Sequence, residues 1–366
     1  MFLSRKQCNE LRGLAISFIV LHNFIHQGIF GFTTQNESSF SYERTLDFLA
    51  RVNDSVGSFL GELFSFLGWI GVPVFVFLSG YGLVKKYEQG PGELSIMSYI
   101  KRSWLKLFLL MLPGVLFFAL FHQLTGIGGL NVQLKYAAYL SLFGNFFGID
   151  SMTPSIYWYF GLTFELYLVY IVLNRFPSKI LLALCFILPL LIQLIFLYLG
   201  YNNLVHFNLR NFIGWLPVFC TGVYLGRQEG PYDDTHDNHS NNWTYLLLLL
   251  LSAGMVVLCN LSPWSWVMIH FASLLFFYSV IQLFKRHPQI ESAFAFIGTY
   301  ASFVFAAHPI SRLIVNEFGL GTWRIGIQVL LYIFILIILV PLYKYIVGSV
   351  SKPFSGIQKS TDPIKG

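Results

Sequence analysis

The segment from Arg12 to His26 combines an apolar sequence with side chains that carry charge or transfer protons. Ionisable groups at membrane depth are costly, so they usually face a protein interior or a wet cavity. On a helix, His22 and His26 lie four residues apart and share one face, with Asn23 beside them. Arg12 lies about 15 Å from His22 along the helix axis. Because histidine exchanges protons near neutral pH, the pattern predicts acid–base chemistry, although hydrogen bonds between helices would also use these side chains.

A carboxylate lies in the middle of another apolar segment. Glu165 stands between Trp158 and Tyr167 in the run Trp-Tyr-Phe-Gly-Leu-Thr-Phe-Glu-Leu-Tyr. A carboxylate at this depth is costly unless it is paired, protonated or hydrated, so it requires a partner. Two roles stay open: a structural hydrogen bond, or orientation of a catalytic histidine, as acids orient histidine bases in other enzymes.

Basic residues cluster where two other apolar segments end or begin. They are Lys85, Lys86, Arg102 and Lys106. Arginine and lysine suit phosphate contacts, so the cluster is predicted to bind a phosphorylated donor on the cytoplasmic side. The alternative is that these residues only mark the cytoplasmic ends of membrane spans.

A further histidine precedes a proline in an apolar run. His308 is followed by Pro309, and Arg312 comes one turn later. Because proline has no backbone N–H, the helix is locally open there and is predicted to line a cavity. Pro73 and Gly80 are predicted to loosen another apolar segment in the same way.

The composition is that of a membrane protein. Hydrophobic residues make up 55% of the 366, and only 11% are charged, against about 25% in soluble domains. The cysteines Cys8, Cys185, Cys220 and Cys259 have no paired spacing, so neither a metal site nor a disulfide framework is expected. The His/Asp-rich stretch 232–239 is interpreted as a solvated linker, with metal binding as the less favoured alternative.

The predicted fold class is all-α, a polytopic bundle of about ten transmembrane helices. The predicted spans are 11–31, 63–84, 104–124, 156–174, 179–199, 210–226, 243–260, 264–284, 293–315 and 323–347. The short, glycine-interrupted segment 134–149 is predicted to be interfacial or re-entrant. The predicted organisation is one transmembrane domain, 1–350, followed by a short cytoplasmic tail, 351–366.

The basic residues set the predicted orientation. With ten spans, most lysines and arginines fall on the side of the two termini, whereas acidic residues outnumber Arg44 and Arg51 in the first opposite loop. Positive residues stay cytoplasmic, so both termini are predicted to be cytoplasmic. The net charge of +6 thus follows from topology, and no nucleic-acid partner is expected.

Several of these motifs together resemble the integral-membrane acyltransferase family 3. The matching pieces run in the family's order over residues 8 to about 347. They are Arg12-Gly13-Leu14-Ala15 leading to His22, the run Val76 to Tyr81, the basic residues near 101–106, Trp158-Tyr159-Phe160 leading to Glu165 and Tyr167, the run Phe219 to Gly226, and Ala307-His308-Pro309.

The resemblance implies transfer of an acyl group, usually acetyl, from cytoplasmic acyl-CoA to a hydroxyl of a sugar acceptor on the outer side. It makes His22 the catalytic histidine, with Arg12 as its essential companion. His22 would act as general base or as an acyl-imidazole relay, and Glu165 would orient it. Arg12 would hold coenzyme phosphates or stabilise the developing oxyanion. The interval from Arg12 to His22 is one residue shorter than usual, and Ser103 to Lys106 replaces the family's Arg-x-x-Arg.

The remaining predictions concern binding and location. His26, His308, Trp158 and Tyr167 are predicted to contact substrate, together with the four basic residues. Acetyl-CoA is expected as a donor substrate, a carbohydrate as acceptor and the bilayer as surroundings, with no permanently bound cofactor or metal. The resemblance implies a multi-pass protein of the bacterial cytoplasmic (inner) membrane. The alternative is a transporter or flippase for a glycan or lipid-linked sugar, although no internal repeat is visible.

Overall fold

The apolar segments form helices, and within the described residues no strand occurs. The structure is a computed structural model and describes residues 3–30, 40–51, 56–90, 94–126, 130–147, 157–230, 242–285, 287–317 and 324–351. Its helices are α1 (Arg5–Asn23), α2 (Tyr42–Arg51), α3 (Val56–Leu67), α4 (Val72–Tyr87), α5 (Ile96–Leu124), α6 (Leu130–Leu140), α7 (Trp158–Arg175), α8 (Lys179–Tyr198), α9 (Asn202–Arg210), α10 (Phe212–Gln228), α11 (Asn242–Cys259), α12 (Pro263–Trp266), α13 (Ile269–Phe284), α14 (Pro288–Thr299), α15 (Ala301–Glu317) and α16 (Ile325–Ser351). The predicted all-α class is confirmed. The His/Asp-rich stretch 232–239 and the tail beyond Ser351 lie outside the described residues.

Five helical stretches of the described chain are long and apolar enough to cross a membrane. They are Phe59–Tyr87, Ile96–Leu124, Lys179–Tyr198, Asn242–Cys259 and Ile325–Ser351. The first of these comprises most of α3, the turn Gly68–Gly71 and α4. The pair α14 and α15 makes a sixth if the two helices form one broken span. Membrane character is therefore supported, while the count of ten and the cytoplasmic termini stay predictions.

Two predicted spans are interrupted rather than continuous. Segment 293–315 is divided at Tyr300, which lies between the end of α14 at Thr299 and the start of α15 at Ala301. Segment 264–284 is divided between α12 and α13. Hydropathy measures only apolar length, so it does not register such breaks. Segment 134–149 contains the end of α6 and a 3₁₀ turn, Gly144–Phe147, both too short to span.

The helices divide into two compact units. Unit 1 comprises residues 1–85, 182–209 and 213–301, and unit 2 comprises residues 86–181, 210–212 and 302–366.

In unit 1, α1 packs on α14 through two glycines. A Cβ on Gly13 would overlap the carbonyl of Phe294, and a Cβ on Gly298 would overlap the carbonyl of Asn9. Small residues let helix backbones approach closely, which is how membrane helices gain packing energy. The glycine of the motif that begins at Arg12 is therefore required for helix contact.

The same reciprocal packing joins α4 to α10. A Cβ on Gly80 would overlap the carbonyl of Phe219, and a Cβ on Gly222 would overlap the carbonyl of Phe77. The motif runs Val76 to Tyr81 and Phe219 to Gly226 thus pack against each other where α4 and α10 cross. Gly80, predicted to loosen its helix, lies instead in the interior of a continuous α4.

In unit 2, a tyrosine of α16 bonds to the backbone of α5 beside Pro113. The Tyr343 hydroxyl of α16 donates to the carbonyl of Leu110 at 2.7 Å and accepts from the amide of Gly114 at 3.1 Å. An ordinary helix would join these two backbone groups directly, so the hydroxyl is inserted into the ladder of α5. These two bonds keep the Leu110 carbonyl and the Gly114 amide paired and fix α5 to α16.

An acidic pair near the start of α1 makes stability depend on pH. Glu10 is buried one residue before the predicted first span, where Lys6 lies 3.7 Å from it and 2.7 Å from Glu291. Burial, followed by the charge of Glu291, raises the pKa of Glu10 to about 7. An acid with a raised folded pKa stabilises the fold at low pH and loses that contribution as pH rises through the folded value.

We expect thermal stability in detergent to fall between about pH 4.5 and pH 7 more steeply in the wild type than in Glu10→Gln, by an amount of order 3 kcal/mol at most. The measurement is the unfolding temperature of both proteins across pH 4 to 9. Parallel pH profiles would show that Glu10 does not titrate in this range.

Candidate active site

The first candidate site lies in unit 1, where the end of α1 meets the end of α3. His22 is buried, and its Nδ1 lies 3.2 Å from the carbonyl oxygen of Phe64. Phe64 lies in the last turn of α3, which ends at Leu67. A carbonyl oxygen has two lone pairs, so it can accept from a side chain in addition to any backbone donor.

This hydrogen bond selects one tautomer of His22. A carbonyl only accepts, so Nδ1 must carry the hydrogen and donate it, which leaves Nε2 with its lone pair. Nε2 is buried and has no hydrogen-bond partner among the described residues. A neutral imidazole with one nitrogen fixed by a backbone carbonyl and the other unpaired is what a general base requires.

His26 lies against His22, as the four-residue spacing predicted. The two rings are stacked with centroids 4.9 Å apart and planes 9° apart. His26 follows α1 in a π-helical turn, Phe24–Ile29, a rare form that occurs frequently at functional sites. Its Nδ1 lies 3.0 Å from the Ser65 hydroxyl. Neighbouring residues of α3 thus hold both histidines.

Gly68 allows α1 to approach closely enough for these bonds. It begins the 3₁₀ turn Gly68–Gly71 that follows α3. A Cβ at this position would overlap the Cβ of His22 and would lie 2.7 Å from the carbonyl oxygen of Phe18. The absence of a side chain at Gly68 therefore sets the distance between the catalytic candidate and α3.

Arg12 lies far from the imidazole of His22. It is half-buried, and its guanidinium donates to the side-chain oxygen of Asn9 at 2.9 Å. Ten residues of helix place its backbone about 15 Å from His22, more than an arginine side chain spans. This geometry favours a donor contact for Arg12 over stabilisation of the oxyanion at His22.

Arg44 also belongs to the His22 site, although no sequence pattern pointed to this residue. This residue of α2 is buried, its guanidinium donates to the carbonyl of Ser65, and it lies 5.9 Å from the ring centre of Phe66. Its neighbour on the same helix, Arg51, is 44% exposed and lies 3.8 Å from Glu62. No local pattern distinguishes these two arginines.

A third buried histidine of unit 1 also escaped sequence reasoning. The ring of His270 in α13 lies 4.6 Å from the ring of Trp215 and 6.3 Å from that of Trp69. Its Nε2 has no hydrogen-bond partner among the described residues. The aromatic contacts support a packing role.

Glu165 has partners within unit 2. Its Oε2 accepts the backbone N–H of Phe212, the first residue of α10, at 2.8 Å, and its Oε1 accepts from the Asn145 amide at 3.3 Å. Anionic groups at helix N-termini satisfy free N–H groups and oppose the helix dipole. These bonds support the structural role, and orientation of His22 by Glu165 stays a prediction.

Trp158 takes part in the same arrangement. Its carbonyl accepts from Asn145 at 3.0 Å, and the guanidinium of Arg210 lies 5.9 Å from its ring centre. Because the Trp158 side chain is buried, its described contacts are structural. Substrate contact by Trp158 stays a prediction.

His308 repeats the geometry of His22 in unit 2. Pro309 has no N–H, so the carbonyl of Phe305 lacks its usual helical partner. The Nδ1 of His308 lies 2.8 Å from that carbonyl and donates to it, which leaves the buried Nε2 without a hydrogen-bond partner among the described residues. The His-Pro pair is therefore a local unit in which the proline provides the acceptor that orients the histidine.

Lys85 differs from the other predicted donor ligands. Its ammonium group is buried in unit 1, lies 3.7 Å from the Glu229 carboxylate, and donates to the carbonyls of Glu229 and Gly230. Tyr81 donates to the same carboxylate. A buried ion pair thus accounts for Lys85, which is not available on the surface for a phosphate.

The other three basic residues lie in unit 2 with a group of tyrosines. Lys86 and Lys106 are exposed, and Arg102 is half-buried with its Nε 3.3 Å from the carbonyl of Ser98. The ring of Tyr99, on the same helix as Arg102 and Lys106, lies 6.2 Å from that of Tyr167. Tyr167, which was predicted to contact substrate, therefore lies near the basic end of α5.

The family now follows from the sequence as a whole. Residues 9–344 match the family model of the acyltransferase 3 domain, described as an acyltransferase domain. The chain belongs to this family and is a membrane acyltransferase. This membership decides between an enzyme and a transporter in favour of the enzyme. Comparison with curated proteins and with solved structures gave no match.

Proposed function

We propose that this acyltransferase moves an acyl group, most simply acetyl, from cytoplasmic acyl-CoA to a hydroxyl of an extracytoplasmic carbohydrate, with His22 as general base. The observation that carries the proposal is the fixed tautomer of His22, whose buried Nε2 has no competing hydrogen bond. The expected location is the bacterial cytoplasmic membrane, in keeping with a cytoplasmic donor.

The proposed reaction needs one base and no redox partner. The acceptor hydroxyl attacks the thioester carbonyl while its proton passes to Nε2 of His22, so that a C–O bond forms. Collapse of the tetrahedral intermediate breaks the C–S bond, and the proton passes from His22 to the departing thiolate. The ester and free coenzyme A are the products. His22 thus acts first as base and then as acid.

For the donor, we propose that Lys86, Arg102 and Lys106 contact the coenzyme phosphates, beside Tyr167. The exposed lysines and the half-buried arginine support this role, because cations of this kind bind phosphate through charge-assisted hydrogen bonds. Lys85 is left out because Glu229 already pairs with it. Arg12 and His308 stay candidate contacts for donor and acceptor.

The direct test of function uses purified protein and acetyl-CoA labelled in the acetyl group. We expect release of coenzyme A thiol and transfer of label to a membrane carbohydrate fraction, both dependent on the protein. Label that stays on acetyl-CoA in the presence of that fraction would contradict acetyl transfer, and longer acyl-CoA donors would then be compared.

The donor contacts predict a specific kinetic change. The double variant Arg102→Gln/Lys106→Gln should raise the KM for acetyl-CoA by about tenfold or more, since each lost charge-assisted bond is worth roughly 1.5–3 kcal/mol before solvent screening. The wild-type KM should also rise with ionic strength. The control Arg175→Gln/Lys179→Gln removes two exposed charges from other helix ends. Equal KM changes in both double variants would show that Arg102 and Lys106 make no specific contact with the donor and only mark the cytoplasmic end of a span.

A further inference from the structure

The end of α3 is held by side chains from two directions. From α1, His22 donates to the carbonyl of Phe64, and His26 bonds the Ser65 hydroxyl. From α2, Arg44 donates to the carbonyl of Ser65. Three side-chain contacts thus meet on two neighbouring residues of α3, Phe64 and Ser65.

We infer that Arg44 is a positioning residue, which fixes the last turn of α3 so that the Phe64 carbonyl holds His22 with Nε2 toward its substrate. This inference rests on the proposed function of His22. Arg44 belongs to α2, outside the predicted first span, and does not contact substrate. It acts on His22 through Ser65 and Phe64 of α3.

The burial of Arg44 supports a rigid contact. Its side chain lies over the Phe66 ring, which is itself stacked on Phe48 of α2 at 4.5 Å between centroids. On the next residue of α2, the Thr45 hydroxyl donates to the carbonyl of Asn260 at 3.0 Å. Charged side chains are seldom buried unless paired, so the guanidinium–carbonyl bond helps to offset the burial of Arg44 and to hold α2 against α3.

The consequence for catalysis follows from geometry. If Arg44 is lost, the Ser65 carbonyl loses this charged donor, the end of α3 is free to shift, and the Phe64 oxygen moves with it. An imidazole that rotates about its side-chain bonds no longer presents Nε2 in one direction. Misplacement of a catalytic group by about 1 Å costs on the order of 100-fold in rate.

The kinetic test uses the full-length protein, with thiol release from acetyl-CoA as readout. Arg44→Gln is expected to lower kcat by about 100-fold while the KM for acetyl-CoA stays within about twofold, the pattern of lost transition-state positioning. Arg44→Lys should restore part of kcat because it keeps one charged donor. The control is Arg51→Gln on the same helix, whose partner is the Glu62 carboxylate, and it should stay near wild type.

A second measurement does not depend on activity. Diethyl pyrocarbonate modifies accessible histidines, and mass spectrometry locates the modified ring. We expect His22 and His26 to react several-fold faster in Arg44→Gln than in wild type or Arg51→Gln. Near-normal kcat together with unchanged modification rates in Arg44→Gln would overturn the inference. If the wild type cleaves neither acetyl-CoA nor a longer acyl-CoA, the proposed function fails, and the modification rates alone still decide whether Arg44 holds the site.

Discussion

Replacement of His22 by asparagine is expected to lower kcat for acetyl transfer by about 100- to 10,000-fold, the usual contribution of a general base. Asparagine retains an N–H near the position of Nδ1, so the bond to the Phe64 carbonyl is kept while the base at Nε2 is removed. Loss of activity would therefore report loss of the base rather than loss of packing. His22→Ala should be equally inactive and, in addition, less stable.

The controls are His26 and His270, the two other buried histidines of unit 1. His26→Ala should only weaken turnover, because His26 stacks on His22 and bonds Ser65 without being the base. His270→Ala should leave the rate per folded molecule near normal. If His22→Asn stays active while His308→Ala is inactive, the base lies on α15, where the second imidazole with a fixed tautomer is found.

Replacement of Gly68 by alanine is expected to lower kcat by about 100-fold, without change of any group that takes part in the chemistry. The added methyl group would overlap the His22 side chain and press on the backbone of Phe18, so α1 must shift relative to α3. Such a shift acts on the orientation of Nε2. The measurement is kcat for thiol release, with the unfolding temperature recorded in parallel.

Gly82→Ala is the matched control for this substitution. Gly82 lies inside α4, and a Cβ there would meet nothing within 4 Å. Alanine is favoured over glycine in a helix by about 1 kcal/mol, so this variant should be at least as stable as wild type and equally active. Comparable losses in Gly68→Ala and Gly82→Ala would show that the position of α1 against Gly68 does not control the rate.

Sequence alone determined the features that arise from local periodicity and composition. The apolar runs predicted helices and a membrane environment, because an apolar segment must pair its own backbone when water is absent. The four-residue spacing predicted that His22 and His26 share a face. The His308–Pro309 pair is equally local, since the carbonyl that proline leaves free belongs to Phe305, three residues before the histidine.

Tertiary structure decided which of several similar residues has which partner. Arg44 and Arg51 lie on one helix, yet the buried Arg44 holds the Ser65 carbonyl, whereas the exposed Arg51 lies 3.8 Å from the Glu62 carboxylate. Lys85 and Lys86 are adjacent, yet only Lys85 is paired with Glu229, which lies 144 residues later. The physical reason is that burial and hydrogen bonding depend on long-range helix contacts, and local residue spacing carries no information about which distant carbonyl or carboxylate a side chain will meet.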